Sequence, residues 1–398
     1  MITAEKALEL VLSSTQDFGI EEVPFIESQG RILKENIVAD RDFPPFNRVS
    51  MDGIAIDFEA FQKGERSFTI EGIQAAGTEQ MELKNPENCL EVMTGAVLPK
   101  NTNVVIRYED VEIRDGVAAV LIDDVKDFQN IHEKGKDRKQ GDVLIEKNKV
   151  ISAAEIGVLA TVGKSMVKVA KQPKVMIIST GDELVGVEET PLDHQIRRSN
   201  VFTLVSLLKR LKIDANTDHI TDDKEALKTK ISDYLSAYDV LLFSGAVSKG
   251  KFDFLPEVLD ELGVEKLFHR VSQRPGKPFW MGTTDNCKVF AFPGNPISTY
   301  VNCLVYFYSW YFKSNEVAMF EETAILTEDV NFKPNLTYFL QVKLSDKYGH
   351  LLATPIKGNG SGDLASLVDA DAFIQLPKTE GTTFKRGENY PVIRYRSF

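Results

Sequence analysis

The sequence predicts a multidomain protein of α/β and β class. It should hold a central α/β domain with a parallel-rich sheet, an inserted β-rich lobe and a small C-terminal β domain. Three observations carry this. Between residues 173 and 318, buried-strand runs alternate with helices of roughly 10–15 residues, the pattern of a parallel sheet. Residues 25–139 and 319–398 are instead cut into short β-type runs by Gly, Pro, Asn and Asp. Helical segments in 1–24 and 140–172 flank the first of these β regions, which makes it an insertion within a helical linking domain.

In chain order, Thr3 caps a helix over 3–13 that turns Ala7, Leu8, Leu10 and Val11 inward, and Gly19 marks its end. The lobe takes its strands from FTIEGIQAAG, CLEVMTGAVLP, NVVIRYEDVEI and VAAVLIDDV. Ser152-Ala-Ala-Glu155 is a capping box for the next helix. VMIIST (175–180), introduced by Pro173 and ended by Gly181, is the first parallel strand. DVLLFSG (239–245) and KVFAFPG (288–294) are the second and third. Helices are predicted from Ser199 or Asn200 to Leu211, through Ala226, Leu227, Ile231 and Leu235, over FDFLPEVLDELG and over PISTYVNCLVYFYSW. Each of the three strands ends in a Gly-containing loop, and open α/β sheets bind ligands beyond the carboxyl ends of their strands. The C-terminal domain draws on TYFLQVKLS, HLLATPI, AFIQLP and YPVIRYRSF.

Composition narrows the function. The 398 residues carry a net charge of -12, which argues against a nucleic-acid partner while leaving room for a local basic pocket. Cys89, Cys287 and Cys303 are scattered and odd in number, so they give neither a disulfide framework nor a zinc cluster and fit a reducing compartment. The start, MITAEKALELVLSS, has no basic run, and no stretch of about 18 apolar residues occurs. A cytoplasmic protein without membrane contact is expected. The five histidines form no HExxH or His/Cys spacing, and neither a GxSxG elbow, a GxGxxG loop nor a Walker A loop is present. Chemistry then falls to carboxylates, lysines and a metal, which suits reactions at a phosphate or oxoanion.

Four loops at the sheet edge are candidates. In STGDEL (179–184), Asp182 and Glu183 suit a hard cation, or form a turn with a solvated acidic cap. SGAVSKGKFDF (244–254) offers backbone N–H groups, Ser248 and Lys249 to a phosphate and Asp253 as a metal or base carboxylate; alternatively Asp253 caps the next helix. RPGKPFWMG (274–282) fixes Arg274 and Lys277 around a Pro-Gly turn, as an anion site or a solvated hairpin. FPGNPIS (292–298) is a tight turn into a helix start, an anion site or a plain connector. Outside this domain, DRDFPPFNRVSMDGIA (40–55) presents Asp52, HEKGKDRKQGD (132–142) is a charged loop, and GNGSGD (358–363) is a flexible one.

Taken together and in order, PPFNRVSMDGIA, TGDEL (180–184), SGAVSKGKFD (244–253), PGKP (275–278) and FPGNPIS resemble the MoeA family, the molybdopterin molybdenumtransferases, related to the gephyrin E domain. The resemblance spans essentially the whole chain. It implies an enzyme that inserts molybdate into adenylylated molybdopterin with Mg2+ or another divalent ion and releases AMP. It implies a MogA-like α/β domain and an elongated homodimer of four-subdomain chains with an intersubunit active cleft. It also implies contacts with a MogA-like adenylyltransferase and with the molybdoenzymes that accept the cofactor. By motif match, the catalytic set is Asp52, Asp137 of the GKD loop, Glu183, Asp222 and Asp253, with Asp223 as the alternative to Asp222. Glu183, Asp222 and Asp253 would hold the metal. Thr180, Gly181, Asp182, Ser244, Gly245, Ser248, Arg274, Lys277, Pro293, Gly294 and Asn295 would hold the pterin phosphate or molybdate.

The sequence departs from the family pattern at Ala246 for the second glycine of SGGVS, Arg274 for a lysine, Asn359 for a glutamine, Arg198 for an Asp or Asn, and Ile54 for a tyrosine. None of these removes a carboxylate of the implied site. A molybdopterin carrier or scaffold without turnover and a molybdopterin adenylyltransferase stand as alternatives. The adenylyltransferase needs only one α/β domain, and tungstate is nearly the size of molybdate.

Overall fold

A computed structural model of the chain describes residues 1–247 and 254–396. The chain forms two compact units, one of residues 1–35, 147–156 and 166–398 and one of residues 36–146 and 157–165.

The first unit is built on a six-stranded sheet in the order Ala215–Ile220, Val175–Thr180, Val240–Ser244, Lys288–Phe292, Trp280–Thr283, Glu265–His269. The first four strands are parallel, Trp280–Thr283 runs antiparallel to them, and Glu265–His269 pairs antiparallel with Trp280–Thr283. Every residue of Val175–Thr180, Val240–Ser244 and Lys288–Phe292 is buried, as strands covered on both faces must be. Alternate side chains divide between two cores. Ile177, Leu242 and Phe290 pack with the Asn200–Arg210 helix, the 296–314 helix and the N-terminal helix Ala4–Ser13. Ile178, Phe243 and Val289 pack with helices Lys224–Ala237 and Leu255–Glu261.

Thr3 caps the N-terminal helix by accepting from Lys6 N at 3.2 Å. That helix ends at Ser14, not at Gly19, whose φ of +86° instead leads into the strand Ile20–Pro24. This strand pairs antiparallel with Met166–Ala170, so the expected linking region contains a β ribbon as well as helix. Ser152 and Glu155 form the expected box, with Glu155 Oε2 accepting from Ser152 N at 2.8 Å ahead of the helix Ala153–Thr161. The apolar 300–312 stretch is a core helix with a π turn at Cys303–Phe307, its Tyr306, Phe307 and Trp310 fully buried. Among the described residues, no helix is long and apolar enough to cross a membrane.

Three strands of the main sheet went unanticipated. Ala215–Ile220 is an edge strand whose polar sequence ANTDHI carries no hydropathy signal. Glu265–His269 and Trp280–Thr283 pair antiparallel, outside the strand–helix alternation.

The C-terminal region closes into a barrel. Thr337–Lys347 pairs with both His350–Pro355 and Ala372–Leu376, and Glu322–Leu326 and Asn389–Arg394 complete the ring. Gln273–Arg274 adds to this barrel in parallel beside Thr337–Tyr338.

The second unit is the β-rich lobe. Its main sheet runs Val104–Arg107, Gly53–Ile56, Asn88–Val92, Ser67–Gln74, Val117–Val120, Val111–Arg114. Its pairings are antiparallel except that between Ser67–Gln74 and Asn88–Val92. Its core gathers Ile54, Ile56, Phe68, Cys89, Val104 and Ile106.

Candidate active site

A cavity of about 720 Å³ opens at the carboxyl ends of Val175–Thr180, Val240–Ser244 and Lys288–Phe292, where the chain leaves each parallel strand. All of its lining belongs to the first unit.

The strand Val175–Thr180 delivers Thr180, Gly181 and Glu183 to the cavity. Thr180 Oγ1 is buried without a hydrogen-bond partner. A Cβ at Gly245, which has φ +115°, would lie 2.8 Å from that oxygen, so glycine lets the two loops meet. Glu183 is exposed, and its main chain is held in a strap: its carbonyl accepts from Ile196 N at 2.9 Å, and Leu184–Val185 pairs with Ile196–Arg197. Asp182 does not line the cavity. Its Oδ1 accepts from Asp222 N at 3.2 Å, bracing the loop that brings Asp222 to the wall. Asp223 instead caps the Lys224–Ala237 helix, accepting from Ala226 N at 2.7 Å.

Ser244, Gly245 and Ala246 line the cavity at the end of the second strand, and Ala246 sits at φ +55°. Asn200, at the start of the Asn200–Arg210 helix, donates through Nδ2 to Ser244 Oγ at 2.8 Å and to Gly294 O at 2.6 Å. One amide thus ties two strand-end loops together. Ser248 and Asp253 lie outside the described residues.

The Arg274–Lys277 turn carries two exposed cations on a buried backbone. Pairing with the barrel fixes Arg274, whose guanidinium lies 6.0 Å from the Phe332 ring centroid. Gly276 has φ +90°, and an added Cβ would come within 2.6 Å of Asn302 Oδ1. Pro293, Gly294 and Asn295 form the fourth wall. Asn295 Nδ2 donates to Ser361 Oγ at 2.8 Å, and Ile297 N to Ser361 O at 3.1 Å, so the 358–363 loop folds onto this helix start.

Arg197, Arg198, Arg274 and Lys277 meet Glu183 and Asp222 around the cavity, so the described lining has an excess of positive charge in an acidic protein. Fixed guanidinium groups and backbone turns suit phosphate and oxyanion binding. Two carboxylates suit a hard divalent ion that keeps waters and phosphate oxygens among its ligands. Among the described residues there is no group of three or more His, Cys, Asp or Glu placed to hold a metal, so no all-protein cage forms there.

Asp52 and Asp137 belong to the other unit. Asp52 Oδ1 accepts from Thr94 N at 2.6 Å and from Thr94 Oγ1 at 2.8 Å, and these bonds hold its carboxyl below the usual aspartate range. Asp137 Oδ1 lies 2.9 Å from His132 Nε2, and His132 Nδ1 lies 3.1 Å from an Arg48 nitrogen. His132 and Arg48 face each other across a short antiparallel pair.

Sequence reasoning did not single out Arg197, Asn200 or Ser361, and met Arg198 only as a departure from a pattern. The QIRRSN run lies between two recognised motifs and matches none itself. Only the strap pairing turns it toward the cavity.

Three family models match in order: "MoeA N-terminal region (domain I and II)" over residues 2–163, "Probable molybdopterin binding domain" over 176–308 and "MoeA C-terminal region (domain IV)" over 323–395. The molybdopterin molybdenumtransferase of a Synechocystis species is 39% identical over 98% of this chain and 99% of its own. That of Staphylococcus epidermidis is 30% identical over 98% and 95%. The crystal structure of a molybdopterin biosynthesis MoeA protein from Pyrococcus horikoshii superposes with a TM-score of 0.84 at 28% identity, covering 99% of this chain and 100% of that one. Matched along its full length by models, sequences and architecture alike, the chain belongs to the MoeA family of molybdopterin molybdenumtransferases.

Proposed function

We propose that the chain inserts molybdate into adenylylated molybdopterin, with Mg2+ as its divalent ion and AMP as a product, as a step of molybdenum cofactor biosynthesis. The observation that carries this reading is the cavity at the strand ends, where four cations and two carboxylates meet within about 720 Å³. That volume and charge pattern suit a substrate combining a pterin, a phosphoanhydride and an oxyanion.

Arg274 and Lys277, held on a rigid turn, bind the anionic groups and stabilise charge as the anhydride breaks. The unpartnered Thr180 hydroxyl and the Gly245 and Gly294 backbone allow close approach of the substrate. Glu183 and Asp222 would hold Mg2+ together with oxygens of the substrate, the coordination this ion prefers. When bound, the ion supplies Lewis-acid polarisation of the anhydride. Molybdate and anhydride lie in one cavity in this reading, which couples AMP release to metal insertion.

The proposal includes a homodimer, with Asp52 and Asp137 of one subunit completing the cleft of the other. Mixing an Asp52→Ala chain with a Glu183→Gln chain would restore part of the activity if sites are shared between subunits. Absence of complementation in proven mixed dimers would remove that element.

The direct test supplies purified protein with adenylylated molybdopterin, molybdate and Mg2+ and follows AMP and finished cofactor. Molybdate-dependent AMP release is expected. Binding of the substrate with no AMP release would reduce the protein to a carrier.

A further inference from the structure

We propose that Arg198 is a specificity-determining residue that grips the phosphoanhydride of the nucleotide-bearing substrate. This rests on the function proposed above. Arg198 lines the cavity and is half-buried. Its Nε is fully shielded from solvent and has no hydrogen-bond partner. Among the described residues no carboxylate pairs with it. A shielded guanidinium N–H left without an acceptor is unfavourable, and the charge of an anionic ligand on the same guanidinium offsets that penalty.

The backbone leaves little freedom in where this side chain starts. Arg198 N donates to Val185 O at 3.0 Å, directly after the Leu184–Val185 and Ile196–Arg197 pairing. Its neighbour Arg197 is already engaged, donating from Nε to Glu189 O at 3.0 Å. The two arginines therefore differ: one is exposed and tied to the strap itself, the other is half-buried and open to a ligand.

The strap also selects which anion Arg198 meets. It carries Glu183, whose carbonyl accepts from Ile196 N at 2.9 Å. In the proposed reaction Glu183 helps hold a divalent ion on the phosphate oxygens, so Arg198 is mounted beside the anhydride. Arg274 and Lys277 come from a separate turn anchored on the C-terminal barrel. The terminal guanidinium nitrogens form a planar pair of donors that matches two non-bridging phosphate oxygens, which a lysine cannot do.

The experiment measures binding rather than turnover. Inorganic pyrophosphate and, separately, molybdate are titrated into the intact protein and into Arg198→Ala, Arg198→Lys and Arg197→Ala variants by calorimetry, with melting curves of the free proteins. Arg198→Ala should weaken pyrophosphate binding at least tenfold and leave molybdate binding within twofold. Arg198→Lys should recover only part of the loss, and Arg197→Ala, whose Nε is already engaged by Glu189 O, should lose less than Arg198→Ala. The free Arg198→Ala protein should melt no earlier than wild type, because the replaced group lacks a partner before ligand arrives. Equal loss of both anions would indicate a general charge effect and overturn the assignment. Pyrophosphate affinity within twofold of wild type, or an early-melting free variant, would overturn it as well. If wild type binds pyrophosphate through Arg198 yet never releases AMP from the authentic substrate, the proposed reaction fails and the anion site stands.

Discussion

Gln273 donates from Nε2 to Asn302 Oδ1 at 2.7 Å, and both side chains are completely buried. Gln273 Nε2 also reaches Pro275 O at 3.0 Å, Asn302 Nδ2 reaches Gly276 O at 3.4 Å, and the Tyr306 hydroxyl donates to Gln273 Oε1. The Arg274–Lys277 turn, with its two exposed cations, is thus built on a closed polar network beneath it. Breaking such a network strands buried groups, at a cost of about 1–3 kcal/mol each. Asn302→Leu should lower unfolding stability by about that amount in urea and raise KM for the anionic substrate more than it lowers kcat. A large kcat loss with unchanged KM would contradict a positioning role.

Asn200 is a second such device, one amide holding Ser244 and Gly294 together. Asn200→Ala should leave the fold intact while freeing both loops. Pyrophosphate binding should weaken severalfold, with loss of stability of about 1 kcal/mol. Retained affinity would show that the glycine loops hold their positions unaided.

These two networks also mark the limit of what the sequence reveals. The buried strands and their following helices were legible because runs such as VMIIST and VLLFS admit one reading inside an α/β alternation. The carboxylates of TGDEL and the cations of RPGKP stood out as charges fixed beside glycine and proline. Gln273, Asn302 and Tyr306 could not be found that way. They lie up to 33 positions apart and look like ordinary polar and core residues until tertiary contact pairs them. The ANTDHI strand was missed for a related reason, since edge strands do not need apolar sequences. Asp222 and Asp223 were separable only by which one caps a helix.

Burial pushes the thiols of Cys89 and Cys287 up to about 12 and that of Cys303 higher still. The thiolate is the reactive form, so all three should resist alkylation in the native protein at pH 8 and react together on unfolding in urea. Rapid native labelling of any one would contradict its burial. Omitting reductant should leave activity unchanged on the assay timescale.

Asp52 owes its low pKa first to the Thr94 backbone N–H and then to the Thr94 hydroxyl. A folded pKa below the unfolded one stabilises the fold fully above the ordinary aspartate value of about 4 and loses that contribution as pH falls through the folded value. Thr94→Val removes the hydroxyl bond and keeps the backbone one. The Asp52 carboxyl titration, followed by carbon NMR, should move upward without reaching the ordinary value. An unmoved midpoint would assign the whole effect to the backbone.

Glu183→Gln gives the sharpest reading of the carboxylate pair. The substitution keeps size and hydrogen-bonding capacity but removes one negative charge from a cavity whose described lining already has more cations than carboxylates. If Glu183 helps hold the divalent ion, the Mg2+ concentration needed for half-maximal AMP release should rise. Turnover at saturating Mg2+ should fall on the order of 100-fold, because a Lewis acid at a breaking anhydride supplies several kcal/mol. If Glu183 only shapes the strap through its main chain, glutamine preserves the Ile196 N bond to the residue 183 carbonyl and neither quantity changes. The Mg2+ titration separates these outcomes even if kcat falls for another reason, since a purely structural defect lowers activity at every metal concentration alike.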